Sequence, residues 1–189
     1  MRKGIGMKKI AFLSLILALS VAFCGCAGWF GHEKYTEVED YSKIFDLSEI
    51  RYREALELFP KEIDSLDVRN FYFEWELGLV GSADVQFLLS VTYEDAPLQE
   101  ESARIQSLAN GKVVYDPVSF AHEAYVLVLG YYCTSYYALI DGNTVHYVLL
   151  QLMDAKDIDI DSALLPKGYE GLGDVKNISY NAYEQDVLV

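Results

Sequence analysis

The chain has 189 residues, of which 52% are hydrophobic and 23% are charged, and this composition supports one folded domain and excludes a largely disordered chain. Its 29 acidic residues outnumber its 15 basic residues, and the resulting net charge of −14 makes binding to nucleic acid or to anionic lipid head groups unfavourable. The same acidity suits attraction to cations or to a basic protein partner, and it serves plain solubility equally well.

The first 26 residues have the layout of a secretory signal peptide. Basic residues stand at positions 2, 3, 8 and 9, and an apolar run that is interrupted by two serines extends from residue 10 to residue 23. This run of 14 residues is shorter than the roughly 20 residues that a helix needs to span a bilayer. We therefore expect a cleaved signal rather than a permanent transmembrane anchor. Met7, directly before Lys8, provides an alternative start of the chain.

Two cysteines follow the apolar run, in the order Cys24-Gly25-Cys26. The segment resembles the lipobox of bacterial membrane lipoproteins, in which cleavage occurs before a cysteine that follows a small residue. Cys26 fits that position because Gly25 precedes it, whereas the bulky Phe23 precedes Cys24, so Cys26 is preferred over Cys24. The resemblance implies a diacylglycerol with acyl chains such as palmitate on Cys26, and a protein anchored at the extracytoplasmic face of the cell membrane. A plain cleaved signal without lipid is the alternative.

Removal of the signal would make the chain more acidic. Four of the 15 basic residues and none of the 29 acidic residues precede Cys26, so the mature chain would carry a net charge of −18. Beyond the signal, Cys133 is the last cysteine, and the domain must therefore depend on its hydrophobic core rather than on an internal disulfide. We expect Cys133 to be a buried small hydrophobe rather than a nucleophile.

The composition divides the chain into three parts. Residues 1–25 are predicted to be the lipoprotein signal peptide, and residues 26–41 are predicted to be a polar tether between lipid and domain. Residues 42–189 are predicted to form a single α+β domain with a loop-rich acidic C-terminal tail.

Two helices are predicted in this domain. The first begins near Ser48, a residue type that caps helices, and ends before Pro60, with apolar side chains at helical spacing in between. The second begins near Asp95 and ends at Asn110-Gly111, where glycine favours helix termination.

Five strands are predicted from alternating or continuous apolar patterns. Residues 68–79 and 85–93 alternate around a glycine-containing turn, which is typical of an antiparallel hairpin with one buried face. Further strands are predicted at residues 124–132, 135–141 and 144–152, and an Asp-Gly-Asn turn joins the last two. The element order predicts an α+β fold with a single antiparallel sheet of about five strands and two helices packed on one face.

Alternating acids occur near the C-terminus. Asp157, Asp159 and Asp161 are spaced like the first ligands of a calcium-binding loop. The rest of that loop is missing, because Ser162 stands where it needs glycine and Gly168 stands where it needs a bidentate glutamate. We therefore expect no metal site here, and instead an exposed edge with the acids outward and the intervening isoleucines inward.

Glu74 and Glu76 form a second acidic feature. They flank Trp75 on a predicted strand, so both point to the same face. Paired carboxylates are the catalytic groups of glycoside hydrolases. Acids on the solvent face of a strand explain the same pattern, and in that case both should titrate as ordinary glutamates and tolerate substitution.

No other motif indicates catalysis or a cofactor. His32, His122 and His146 are far apart in the sequence, and their spacing matches neither a zinc site nor a serine–histidine–acid set. The sequence contains no phosphate-binding loop, dinucleotide-binding loop or nucleophile-elbow motif. We therefore expect no catalytic residue, no cofactor and no metal.

These observations favour an exported, lipid-anchored, non-enzymatic envelope protein that binds an unknown extracytoplasmic protein or ligand. One alternative is an acidic inhibitor of a cationic extracellular enzyme such as a lysozyme. Another is a hydrolase that uses Glu74 and Glu76 as paired carboxylates. A solute-binding lipoprotein is disfavoured, because that class usually has two lobes around a cleft and this chain has room for one.

Overall fold

The computed structural model describes residues 31–51, 53–77, 83–109, 120–131, 134–153, 157–167 and 169. The predicted signal peptide, its lipidation residue Cys26 and the later Cys133 lie outside these ranges. Within them, no helix is both long enough and apolar enough to cross a membrane.

A single antiparallel sheet forms the centre of the fold. In the described part of the chain its strands are β1 (His32–Tyr35), β2 (Asp67–Leu77), β3 (Ala83–Thr92), β4 (Glu123–Tyr131), β5 (Thr134–Asp141) and β6 (Thr144–Gln151). They are hydrogen-bonded in the order β1-β2-β3-β6-β5-β4. The predicted α+β class with one antiparallel sheet is therefore confirmed, with six strands in place of about five.

The additional strand is β1, which lies within the predicted tether. His32 is opposite Glu76 and Tyr35 is opposite Phe73, so β1 forms an edge of the sheet beside β2. The tether prediction is thus wrong for its described part, residues 31–41, which belongs to the folded domain. The physical reason is that a short edge strand needs no apolar alternation and tolerates charged side chains.

Three helical segments pack against one face of the sheet, which we call the helix-side face. Two are short 3₁₀ helices, Val38–Asp46 and Arg53–Glu57, and the third is the α-helix α1, Asp95–Leu108. The first predicted helix, which was expected to begin near Ser48 and end before Pro60, is therefore limited to the 3₁₀ helix Arg53–Glu57. The core between these segments and the sheet includes Phe59 stacked on Phe87, with ring centroids 3.9 Å apart.

The opposite face of the sheet, which we call the tail-side face, is covered by the described part of the C-terminal tail. Ile160 and Leu164 pack against Val148 and Tyr137 there. The Tyr137 hydroxyl, fully buried, donates a hydrogen bond of 2.9 Å to the carbonyl oxygen of Leu164. This docking leaves polar side chains at the two ends of the tail-side face.

Candidate functional site

A cavity of about 230 Å³ opens on the tail-side face, where β2 ends and β3 begins. We call it the acidic cavity, because most of its lining residues carry a carboxylate. Its described lining consists of Glu74, Glu76, Asp84, Gln86, Met153, Asp157 and Asp159.

Strand register brings four of these residues together. Glu74 is directly opposite Gln86, and Glu76 is directly opposite Asp84, in the antiparallel pairing of β2 with β3. Because side chains alternate along a strand, residues two positions apart share a face. The predicted placement of Glu74 and Glu76 on one face is therefore confirmed, and the structure adds Asp84 and Gln86 to it.

The buried amide of Gln86 joins the tail to this part of the sheet. Its Nε2 donates to Glu74 Oε2 at 2.9 Å and to the carbonyl oxygen of Asp157 at 3.2 Å, and its Oε1 accepts from the Asp159 backbone nitrogen at 2.9 Å. Gln86 is 2% exposed, so these bonds satisfy a polar group that would be costly to bury alone. They also fix the two aspartates at the rim of the cavity.

Glu74 is held as an ionised carboxylate by several donors. Besides Gln86, His32 Nε2 lies 2.8 Å from its Oε1, the Tyr72 hydroxyl donates to its Oε2, and Lys34 Nζ lies 3.9 Å away. Burial alone would raise the pKa of Glu74, but the bonds from His32 and Tyr72 and the charge of Lys34 outweigh it and lower the pKa. The expectation of an ordinary, solvated glutamate is therefore wrong for Glu74.

Lys34 extends this network to the tail. Its Nζ donates to the Tyr72 hydroxyl at 3.0 Å and to Asp159 Oδ2 at 3.3 Å, and it lies 4.6 Å from the centre of the Tyr72 ring. The Tyr72 hydroxyl also lies 2.7 Å from Asp159 Oδ2. The adjacent Tyr72 hydroxyl and the Lys34 ammonium group lower the pKa of Asp159. This half of the cavity is thus electrostatically compensated.

The other end of the acidic cavity, at Glu76 and Asp84, has no compensating ion pair among the described residues. Neither Glu76 nor Asp84 forms an ion pair with a lysine, arginine or histidine among the described residues. Burial, followed by the negative charges of Glu76 and Asp157, raises the pKa of Asp84. A cationic group placed here would relieve the repulsion.

The alternating aspartates do not converge on one point. Asp157 and Asp159 line the acidic cavity, whereas Asp161 caps the 3₁₀ helix Ser162–Leu164 by accepting a 2.9 Å bond from the Ala163 nitrogen. Ile160 points inward and is 6% exposed, as expected. Among the described residues no group of three or more acidic, histidine or cysteine side chains is arranged to hold a metal ion.

The structure brings together two histidines, His122 and His146, whose positions in the sequence do not predict contact. The rings of His122 and His146 have centroids 6.3 Å apart at the far end of the tail-side face. His146 Nδ1 lies 2.8 Å from Ser90 Oγ, and His122 Nδ1 lies 3.6 Å from Asp141 Oδ1. Ser90 lies within β3 and is 3% exposed, so a substrate cannot reach its hydroxyl in this conformation.

Comparison of the chain with models of protein families, with curated proteins and with solved structures found no match.

Proposed function

We propose that the chain is an exported, lipid-anchored binding module of the cell envelope, and that its acidic cavity receives a basic side chain of an extracytoplasmic protein partner. The observation that carries the proposal is the pair of Glu76 and Asp84, which lie directly opposite each other without a cation among the described residues. Like charges in this position destabilise a sheet. A lysine or arginine from a partner would turn that repulsion into attraction.

The state of Glu74 supports binding rather than catalysis. A general acid must carry a proton at the working pH, and glycoside hydrolases raise the pKa of that carboxyl. Glu74 has a lowered pKa and is held by His32, Tyr72 and Gln86, so it presents a fixed negative charge. Fixed charges of this kind favour recognition of a cationic group.

Cavity size and overall charge support the same class of partner. The acidic cavity, about 230 Å³, is smaller than the roughly 300–1,000 Å³ of most small-molecule sites, so it suits one inserted side chain. The net charge of −18 expected for the mature chain would accelerate encounter with a basic protein. Two acyl chains on Cys26 would keep the module at the membrane surface.

Binding of a cationic probe tests this proposal. The full chain, purified in detergent, would be titrated with tetralysine and with tetra-alanine by isothermal titration calorimetry. We expect Glu76→Gln combined with Asp84→Asn to weaken tetralysine binding at least about tenfold. Glu62→Gln combined with Asp64→Asn is the matched control, because these exposed acids do not line the cavity. Equal losses in both double variants would show a general charge effect and overturn the proposal.

A cationic enzyme is one partner that this chemistry fits. We expect the protein to slow the lysis of bacterial cell walls by a lysozyme if that class of enzyme is the partner, and the double variant at Glu76 and Asp84 to lose the inhibition. A neutral wall hydrolase provides the control, since its activity should not change.

A second candidate function is glycan hydrolysis by paired carboxylates, with Glu74 and Asp84 as the pair in place of Glu74 and Glu76. Asp84 has a raised pKa and Glu74 a lowered one on the wall of the same cavity. Such divergence is the usual signature of an acid and its ionised partner. The two residues are diagonal neighbours across β2 and β3, so both carboxyl groups lie on the same face of the sheet. Release of reducing sugar from peptidoglycan by the wild type, lost in Asp84→Asn, would favour this function over binding alone.

A further inference from the structure

Two imidazole rings meet at the end of the tail-side face that lies away from the acidic cavity. We call His122 and His146 the histidine pair. His146 lies on β6 and shares the tail-side face with Val148, because the two residues are two positions apart on one strand. His122 directly precedes β4, and its segment is anchored because Phe120, 1% exposed, packs against Tyr137 with ring centroids 5.1 Å apart. The pair is thus held by two separate parts of the fold.

The two rings approach each other above an intervening strand. Strand β5 lies between β4 and β6, so the backbones that carry the pair are separated by two strand spacings, or roughly 10 Å. The ring centroids are nevertheless only 6.3 Å apart. Both side chains therefore lean toward each other over β5.

In each ring, one nitrogen has an orienting partner. His146 Nδ1 lies 2.8 Å from the hydroxyl oxygen of Ser90, which is 3% exposed, and His122 Nδ1 lies 3.6 Å from Asp141 Oδ1. Among the described residues, neither Nε2 atom has a hydrogen bond or an ion pair. When the proton is on Nδ1, each ring keeps the lone pair of Nε2 for a ligand. Histidines that bind metals are oriented in this way, by a polar partner on the other ring nitrogen.

The spacing and chemistry of the pair suit one shared metal ion. Imidazole nitrogen favours ions such as zinc, copper and nickel, whereas calcium and magnesium prefer oxygen ligands. Metal–nitrogen bonds of about 2.0–2.1 Å place the centroids of two imidazoles that share one ion roughly 5–6 Å apart. The observed 6.3 Å is close to this spacing. The net charge of −14 also favours the approach of a cation.

We propose that the histidine pair binds a divalent transition-metal ion such as zinc through the Nε2 atoms of His122 and His146. Ser90 and Asp141 orient the rings through Nδ1 and do not touch the ion. No described group of three or more acidic, histidine or cysteine side chains is arranged to hold a metal, so this site has two protein ligands and water completes the coordination. Both histidines are half-buried, which leaves a path from solvent to the ion. The site is separate from the acidic cavity and does not depend on the function proposed above.

Calorimetric titration of the full chain in detergent with zinc chloride tests the inference. We expect the wild type to bind zinc, and His122→Gln and His146→Gln each to weaken that binding at least about tenfold. His32→Gln is the matched control, because His32 contacts Glu74 at the other end of the tail-side face. Cys133→Ser should also leave the affinity unchanged, which excludes a thiol ligand. No zinc binding by the wild type, or equal affinity in the wild type and both variants of the pair, would overturn the proposal.

Nuclear magnetic resonance of the imidazole nitrogens locates the ion on the wild-type chain, so this measurement does not depend on a variant being folded. Zinc should shift the Nε2 resonances of His122 and His146 and leave those of His32 unchanged. Calcium chloride at matched ionic strength should shift neither ring of the pair, because calcium prefers oxygen ligands. Zinc-induced shifts confined to His32, or equal shifts of the pair with zinc and with calcium, would overturn the assignment.

Discussion

Glu76 and Asp84 lie directly opposite each other across β2 and β3, and both line the acidic cavity. The register of the hairpin creates this like-charge pair, because Glu76 lies on β2 and Asp84 lies opposite it on β3. Burial and the charges of Glu76 and Asp157 make ionisation of Asp84 unfavourable and raise its pKa. We therefore expect this like-charge pair to lower the stability of the free protein.

Asp84→Asn should therefore stabilise the free protein near neutral pH, by roughly 0.5 kcal/mol. A carboxyl whose folded pKa is raised contributes stability that is fully present below its unfolded pKa near 3.9 and is lost as the pH rises through the folded value. The advantage of the variant should thus vanish near pH 3. Urea unfolding near neutral pH and near pH 3 measures the difference in unfolding free energy between variant and wild type, with Glu62→Gln as control. If Asp84→Asn were less stable than the wild type near neutral pH, this prediction would be wrong.

Glu74→Gln should have the opposite effect. Glu74 has a lowered folded pKa, so its contribution is present above the unfolded pKa near 4.3 and is lost as the pH falls through the folded value. The variant loses charge-assisted bonds from His32 and Tyr72 and should be destabilised by about 1 kcal/mol near neutral pH. Glu76→Gln on the same strand is the control and should be neutral or stabilising. Equal effects of the two variants in urea unfolding would refute the difference.

The five predicted strands were found because apolar alternation marks a strand that has at least one buried face. β1 was missed because its sequence is charged, and only its pairing with β2 shows that it is a strand. Gly31 lies in the segment, residues 26–41, that the composition predicts to be a polar tether. In the structure an added Cβ at Gly31 would overlap the Trp75 ring, so close packing requires the glycine.

The acidic cavity was only partly predictable for a similar reason. Glu74 and Glu76 share a face by local spacing, which a sequence shows directly. Asp84 joins them through strand register, and Gln86 bonds to Asp157 across 71 residues of sequence. The approach of His122 to His146 likewise depends on which strands are neighbours. Contacts between residues that are far apart in the sequence leave no local sequence pattern from which they could be predicted.

Arg104→Lys should destabilise the domain by about 1–2 kcal/mol. Arg104 binds Glu101 through two nitrogens, at 2.8 and 2.6 Å, and it donates to the carbonyl oxygens of Glu57 at 2.8 Å and Leu58 at 2.6 Å. It therefore joins α1 to the end of the second 3₁₀ helix, and lysine cannot replace a planar fork. Lys61→Arg, in an exposed ion pair with Glu57, is the control and should change stability little. Comparable losses in urea unfolding would refute the role of the fork.

We expect the lowered pKa of His146 to make the free energy of unfolding decrease as the pH falls. Burial, followed by the nearby His122, lowers the pKa of His146, while Asp141 opposes this effect. Its contribution is then fully present above the unfolded pKa of about 6.5 and is lost as the pH falls through the folded value. His146→Gln should lose less stability than the wild type between about pH 7 and pH 5. Ser90→Ala removes the hydrogen bond to His146 but keeps the imidazole ring, so it should retain the pH dependence of the wild type. If His146→Gln had the same pH dependence as the wild type, His146 would not be the residue responsible.

Cys26→Ser should abolish membrane attachment, because a serine hydroxyl cannot form the thioether to diacylglycerol. One acyl chain gives only marginal membrane binding and each buried methylene adds about 0.8 kcal/mol, so loss of both chains should release the protein or leave an uncut precursor. Intact-mass spectrometry of the mature N-terminus and detergent phase partitioning measure both outcomes. Cys24→Ser is the matched control and should remain lipidated. An unmodified wild-type N-terminus at another residue, or lipid retained in Cys26→Ser, would show that the lipoprotein assignment is wrong.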